Sequence, residues 1–591
     1  MATRQYAVAR DAAEAARARH DAGRYFTPRA VARLVAALAV RRPGARVLDP
    51  ACGEGALLAA AAERGTLLGG AGALRGVESE PSTAREAAAR LGSFGGAVRC
   101  ADFLDALGGE RPGAADVVVA NPPYVRHEAL APERKRHLAH EARAAGLDAS
   151  LRSDLHVFFW PAIAGALAPG GRAVVLCSSA WLDAAYGEPL RAFLLERFAL
   201  ELILDAADGP WFDDARIRPV VVVLRLEPDP DARARQQVRL ARLDACVPRE
   251  LDANAAAALA DALLADDCSA TATISQAALA GQRWAPPLRA PPGFLALAAR
   301  ARTVPLGDWA TLKRGLTSGA DAFFYVRPLG ESRRGLVDVR ASDGSVHSLD
   351  ARWLRPALVR LAEAPAPLLE PSFLRRAVVL LPPASSLPRG SPGRDYLAWG
   401  EAQGFHARPT CAQRTRAGRG WHELRLAPPG QALWSMTHQY RHLAPANPSG
   451  VVANANLYNV YSPHDARVVG ALLNSTWMAL AARAFGRQSN EGKVKTQVMD
   501  AAALPSPDPR RLAARLAHEL AEAFDALAAR TVLPLSSEML VPERRALDAL
   551  VLRALGLAPS ALGELHEAAA RHEAAGRGWE RAMRARAAQT G

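Results

Sequence analysis

Six short apolar runs punctuate the chain between Arg46 and Leu226: Arg46-Val-Leu-Asp49, Ala73-Leu-Arg-Gly-Val-Glu78, Ala114-Ala-Asp-Val-Val-Val-Ala-Asn121, Arg172-Ala-Val-Val-Leu-Cys177, Glu201-Leu-Ile-Leu-Asp205 and Pro219-Val-Val-Val-Val-Leu-Arg-Leu226. Nearly continuous Val and Leu, instead of strict alternation, marks strands covered on both faces. Helical stretches such as Ala56–Arg64 and Pro81–Leu91 lie between them, so the pattern predicts an α/β domain with a mostly parallel sheet. The last two runs are close enough to form an antiparallel hairpin at the end of the sheet.

Outside this stretch the periodicity changes. Met1 to His20 is an Ala-rich helical pattern, and residues 1–22 are expected to be an N-terminal helix. Residues 229–300 are rich in Pro, Asp and Ala with one helical stretch, Ala255–Ala265, and are expected to be a connector. Residues 301–510 hold most of the Trp and Tyr, many Pro and Gly turns and short mixed strands, which predicts an α+β domain. From residue 511 to 591 the chain returns to Ala/Leu/Arg/Glu helices, expected as a helical cap or an oligomerisation surface.

A length of 591 residues allows two to four domains, and a mean hydropathy of −0.04 with 23% charged residues is that of a globular chain. Lys and Arg number 73 against 60 Asp and Glu, a formal +13 with an isoelectric point near 9.9. Such an excess suits a polyanionic partner, although only four lysines accompany the arginines and arginine-rich codon usage would raise the same total. Its distribution separates the two explanations. Residues 301–510 carry 26 Arg and Lys against 15 Asp and Glu, so about eleven of the thirteen charges sit on a third of the chain. The six cysteines show no C-x-x-C pair and predict neither a metal site nor a disulfide framework. No signal-peptide pattern and no run of ~18 apolar residues is present, so a cytoplasmic protein without membrane association is expected.

The candidate chemistry lies at the ends of the runs. Asp49 leads into Pro50-Ala51-Cys52-Gly53-Glu54-Gly55, a turn whose glycines let the backbone approach a ligand. Leu58 stands where a dinucleotide fingerprint needs its third glycine, and Asp49 is ill suited to a pyrophosphate. An acidic group there suits a cationic ligand end, such as the amino group of a methionine moiety. Glu78 is placed to accept from both ribose hydroxyls, Asp102 from an adenine amino group, and Phe103 to lie beside the ring. Together they describe a pocket for an adenosyl ligand without phosphate. The run from Asp116 ends in Asn121-Pro122-Pro123-Tyr124. Two prolines stop strand pairing and remove backbone donors, leaving carbonyl oxygens. The Asn121 side-chain oxygen and the Pro122 carbonyl can then accept both hydrogens of a planar amino group and favour the charge that develops as its nitrogen attacks an electrophile. Tyr124 offers a face on which a base can stack.

These motifs resemble the gamma-type amino-methylating DNA methyltransferases, the N(6)-adenine-specific enzymes of the Eco57I/TaqI-like branch, over residues 23–228. Gly23-Arg-Tyr-Phe-Thr27-Pro28 resembles the family's first cofactor motif, Ser153-Asp-Leu-His156 and Leu167–Gly171 its later cofactor-side segment, and Trp211-Phe212 the segment that supplies a second aromatic face. The resemblance implies a Rossmann-like class I methyltransferase sheet. It assigns Thr27, Asp49, Pro50, Ala51, Gly53, Gly55, Glu78, Asp102, Phe103 and Asn121 to S-adenosyl-L-methionine, Asn121, Pro122 and Tyr124 to catalysis, and Tyr124 with Phe212 to stacking on a flipped base. Asn in the first position of the catalytic motif favours adenine over cytosine in that family.

More weakly, Pro305–Tyr325 and the stretch from Leu473 through Gln497 to Pro507 resemble the family's target-recognition domains. Double-stranded DNA is the implied partner, with a separate restriction endonuclease as an optional one. Lys313, Arg314, Arg487, Lys493 and Lys495 are then phosphate contacts more than base readers. The target sequence and oligomeric state stay open. Three other readings stay open with them: a nuclease site at Asp465, Glu491 and Lys493, a methyltransferase acting on RNA or a protein glutamine, and a catalytically degenerate DNA-binding module.

Overall fold

The computed structural model of the chain describes residues 27–105, 113–206, 211, 218–243, 251–265, 271–331, 335–488 and 493–590. The chain divides into two compact units, residues 1–289 with 575–591, and residues 290–574.

The first unit is built on one sheet of strands β1 (Val47–Asp49), β2 (Leu74–Glu78), β3 (Ala97–Cys100), β4 (Ala115–Ala120), β5 (Leu167–Ser178), β6 (Phe198–Ala206), β7 (Pro219–Leu226), β8 (Gln237–Leu243) and β9 (Thr271–Ser275). Among the described residues its order is β3-β2-β1-β4-β5-β7-β6-β8-β9. Strands β3 to β5 are parallel, while β7 runs antiparallel to both β5 and β6. Period-two side-chain alternation splits each central strand between two cores. Val47, Val117, Val119, Val174, Leu176, Val221 and Val223 join one face with helix α1 (Arg29–Ala39) and helix α2 (Ala56–Leu67), whereas Leu48, Val118, Val175, Val220 and Val222 join the other with Phe158, Phe159 and Trp160. Both faces are covered, as the near-continuous apolar runs require.

Two expectations change here. The β6/β7 pair is antiparallel, but it is not the end of the sheet, because β8 pairs parallel with β6 and β9 antiparallel with β8. Residues 229–289 are therefore part of this unit and not a connector. The strand Gln237-Val-Arg-Leu-Ala-Arg-Leu243 alternates Arg and Gln with apolar residues, so it reads as polar although Val238, Leu240 and Ala241 are buried.

A buried ion network braces this side of the sheet. Asp205, at the end of β6 and 0% exposed, accepts from Arg218 Nε at 3.1 Å and from Arg289 Nε at 3.1 Å, and Arg289 also reaches Asp183 at 3.2 Å. Burial alone would raise the Asp205 carboxyl, but the surrounding Arg218, Arg289 and Arg242 charges overcome it and hold it below the ordinary range. Arg289 is the cation that joins the two buried carboxylates, so removing it weakens both pairings at once. Arg289→Met is expected to lower the unfolding free energy by about 3–5 kcal/mol, measured by denaturant unfolding of the full chain; a change under ~1 kcal/mol would mean that the network is not coupled as described.

The second unit carries smaller sheets and helices. One core joins strands Thr311–Arg314, Leu457–Tyr461 and Ala432–Ser435 to helices Ala466–Leu473, Thr476–Phe485, Ala514–Ala528 and Pro542–Ala554 through Leu312, Trp434, Tyr458, Leu472, Trp477, Phe524 and Leu547. The helices after residue 510 thus share a core with the α+β region instead of forming a separate layer. A second core gathers Phe323, Phe324, Tyr396, Phe405 and Trp421. Among the described residues no single helix is long and apolar enough to cross a membrane.

Candidate active site

The strand order reverses between β1 and β4, and ligands of open α/β sheets bind beyond the carboxyl ends of the strands at such a point. Along this edge, in sheet order, stand Asp102 just after β3, Glu78 ending β2, Asp49 ending β1 and Asn121 just after β4. Three inter-strand steps of ~4.8 Å place the first and last of these strands about 14 Å apart. A cavity of about 290 Å³ opens at this edge, lined by Pro50, Ala51, Gly53, Glu78, Asp102, Phe103, Asn121, Pro122 and Tyr124.

The loop from Asp49 to Gly55 takes its shape from two left-handed residues, Gly53 at φ +52° and Gly55 at φ +83°, where any side chain would be strained. It is also tied to its neighbours. Cys52 N–H donates to the Val77 carbonyl at 2.9 Å, and Gly53 N–H donates to Glu78 Oε2 at 3.1 Å. Glu78 Oε1 accepts from Glu80 N–H at 2.9 Å, so the carboxylate orders the loop and still has lone pairs toward the cavity.

Asp49 is 1% exposed; its Oδ1 accepts from Ala51 N–H at 3.1 Å, while Oδ2 has no partner among the described residues. Burial, set against that N–H, pushes its carboxyl up to about 8. A buried acceptor with one oxygen unmet fits a ligand that brings a cation. Asp102 is more committed than its expected role implies: Oδ1 accepts from Leu104 N–H at 2.9 Å and Oδ2 from Arg134 at 2.7 Å. Phe103 is buried and stacks on Phe159 with ring centres 6.2 Å apart.

Asn121 Nδ2 donates to Thr27 Oγ1 at 3.0 Å. Beyond Tyr124 the chain is pinned by the Ser153–His156 segment, where Leu155 N–H donates to the Val125 carbonyl at 2.9 Å and Asp154 Oδ1 accepts from His127 N–H at 3.0 Å. Burial pushes His156 down to about 4, so its ring is neutral at ordinary pH.

Residues 10–242 match the family model described as N-6 DNA methylase. This segment is an N-6 DNA methylase domain. The Type II methyltransferase M.XhoI of Xanthomonas vasicola is 36% identical over 136 residues, 23% of this chain and 23% of the relative. The Type II methyltransferase M.BanIII of Aneurinibacillus aneurinilyticus is 30% identical over 190 residues, 30% of this chain and 32% of the relative. The matches thus span about a quarter to a third of those relatives' length. In three dimensions the type IIL restriction-modification enzyme MmeI, solved in complex with DNA, shares the fold with a TM-score of 0.51 at 12% identity, covering 91% of this chain and 70% of that one. The methylase domain has the Rossmann-like class I sheet, with its reversed strand β7 between β5 and β6.

Of the residues expected on the cofactor, the methylase domain brings Pro50, Ala51, Gly53, Glu78, Asp102, Phe103 and Asn121 onto one cavity wall together with Pro122 and Tyr124. Asp49 and Gly55 shape the loop behind it. Thr27 is not on that wall; it lines a neighbouring groove with Ala56, Ala59 and Glu63. Phe212 and Gly23–Phe26 lie outside the described residues. Trp211 is buried in the core on the α1 side of the sheet, where it serves packing. Five lining residues escaped the sequence reading: Ser79, Thr83, Leu130, Arg134 and Phe159. Arg134 sits in the strongly polar helix Pro132–Ala144, which reads as a solvated face.

The expected DNA contacts fall in the second unit. Lys313 and Arg314 are exposed on the strand Thr311–Arg314, with Lys313 Nζ 5.6 Å from the centre of the Tyr461 ring and Arg314 donating to the Ala455 carbonyl. Arg487 faces Lys495 across a two-strand pairing, but its guanidinium is bound to the buried Asp500 at 2.9 Å. Lys495 is exposed and Lys493 half-buried. Asp465 caps the helix Ala466–Leu473, which accounts for it without a metal, and Glu491 lies outside the described residues.

Proposed function

We propose that the chain transfers a methyl group from S-adenosylmethionine to the exocyclic amino group of adenine in a specific DNA sequence, in a restriction-modification setting. The observation that carries this reading is the order Asp102, Glu78, Asp49, Asn121 along one sheet edge, which matches adenine, ribose, methionine and target in turn. The cofactor, when bound, supplies an electrophilic methyl group.

The chain's own residues supply the rest. Asp49 accepts from the cationic amino group and thereby becomes a stable carboxylate, Glu78 accepts from the ribose hydroxyls, and Phe103 covers the ring. Adenine flipped out of the duplex stacks on Tyr124 and on Phe212. Asn121 and the Pro122 carbonyl accept from its amino group and stabilise the positive charge that grows on nitrogen as the methyl arrives, with no covalent enzyme intermediate. The basic residues 301–510, with Lys313, Arg314 and Lys495 at the surface, support a role for this region in holding the DNA backbone. The Type II methyltransferase names of the relatives support the restriction-modification setting.

Incubating the full chain with methyl-labelled S-adenosylmethionine and duplex DNA, RNA or protein tests the reading. Label is expected in DNA, as N6-methyladenine after digestion to nucleosides. Label confined to RNA, protein or cytosine would overturn it.

A further inference from the structure

We propose that Arg134 is a positioning residue for cofactor recognition: its guanidinium holds the Asp102 carboxylate in the orientation that selects the 6-amino group of the adenine ring. This rests on the cofactor reading given above and extends it to a residue of the helix Pro132–Ala144.

A carboxylate on a short side chain turns readily about its last torsion, and an acceptor without a fixed direction discriminates poorly between an amino and an oxo group. Asp102 is fixed through both oxygens: Oδ1 accepts from Leu104 N–H at 2.9 Å and Oδ2 from Arg134 Nη2 at 2.7 Å. The polarity of these contacts has one reading, since a guanidinium and a backbone N–H only donate and an ionised carboxylate only accepts. Each oxygen keeps a further lone pair, so the pairing leaves an acceptor for a ligand.

Arg134 is anchored in turn. Its other arm, Nη1, donates to Asp105, so one guanidinium ties down Asp102 and Asp105 in the turn after β3. Arg134 and Asp102 share the cavity wall with the apolar side chains of Phe103, Leu130, Leu155 and Phe159. Apolar walls around one fixed ion pair suit a flat base whose edge carries a donor. With Arg134 27% and Asp102 40% exposed, the pair adds little to folding. A ring that covers it excludes water and strengthens it, so its effect belongs to ligand binding and not to the fold.

The test is calorimetry of the full chain with S-adenosyl-L-homocysteine and with its 6-oxo counterpart, S-inosyl-L-homocysteine. The wild-type chain is expected to prefer the adenosyl ligand by at least about tenfold, the weight of one hydrogen bond to a charged group. Arg134→Met, which keeps most of the apolar stem, should narrow the preference to about threefold or less, through weaker adenosyl binding. Arg134→Ala, a second truncation on this solvated helix, should give the same ratio, and both should melt within a few degrees of wild type. Asp102→Ala should abolish the preference by itself, and adding Arg134→Met to it should change the ratio no further. A preference kept in both Arg134 variants, an equal loss for the two ligands, or a further change in the Asp102→Ala background would overturn the proposal. A wild-type chain that binds the adenosyl ligand without preferring it overturns the proposal and leaves the cofactor reading standing; one that binds neither ligand overturns both.

Discussion

Asn121→Ala is expected to lower kcat for methyl transfer to DNA by a hundred- to a thousandfold, about the loss seen when one preorganised polar group is removed from developing charge. Asn121 stands just beyond β4, next to the point where strand order reverses, and its side chain is the polar group nearest the Pro122 carbonyl in sequence. Asn121 lines the cavity but ends the series that begins at Asp102, so most of the cofactor's contacts survive the substitution. Affinity for S-adenosylmethionine should therefore stay within a few-fold, measured by calorimetry alongside single-turnover transfer. Parallel loss of binding and rate would show Asn121 to be a cofactor residue and remove the argument for its catalytic role. Base flipping, followed by 2-aminopurine fluorescence, should persist in Asn121→Ala because stacking on Tyr124 does not need the amide.

Asp49→Asn carries the second large effect, on binding and not on the chemical step. A carboxylate facing a buried cation is replaced by a neutral amide, and affinity should fall by at least about thirtyfold, the lower end for breaking a buried charged pair. The pH dependence follows from burial. Since the Asp49 carboxyl is pushed up to about 8, the cofactor-free protein binds a proton there that the unfolded chain, with an ordinary carboxyl near 4, does not. Stability must then fall as pH rises from about 4 to about 8, because the folded state holds the extra proton. Affinity for the cationic cofactor should rise over the upper part of that window as the carboxylate forms. Asp49→Asn is expected to flatten both trends, read by thermal unfolding and calorimetry at pH 6, 7 and 8. A wild-type affinity that does not change with pH would mean that Asp49 is not the group that meets the cation.

The parts of the site legible in sequence are those in which one short segment carries both shape and chemistry. The Asp49–Gly55 turn needs left-handed residues at Gly53 and Gly55, and the residues are there to be read. Asn121-Pro-Pro-Tyr124 combines a strand end, rigid prolines and an aromatic face within four residues. Strand β3 is harder to read, because Ala97-Val-Arg-Cys100 lies at the sheet edge with three of its residues exposed and the fourth half-buried, so it needs no apolar run. Strand β8 hid behind its arginines. Helix α1 buries nine of its eleven residues and sets only Arg29 and Arg33, one turn apart, on a polar side, a stripe too narrow to stand out within a run of Ala, Val and Leu.

The sequence by itself determined that an α/β sheet forms around six apolar runs, that acidic residues end its strands and that the turn after β4 presents acceptors. Local sterics and side-chain periodicity are enough for each of these. Only the tertiary structure decided the strand order that lines up Asp102, Glu78, Asp49 and Asn121, the place of β8 and β9 in the same sheet, the pairing of Arg134 with Asp102, and the hydrogen bond from Asn121 to Thr27. Those depend on which surfaces bury one another across tens to hundreds of residues. No local propensity encodes that choice, which comes from packing of the whole chain.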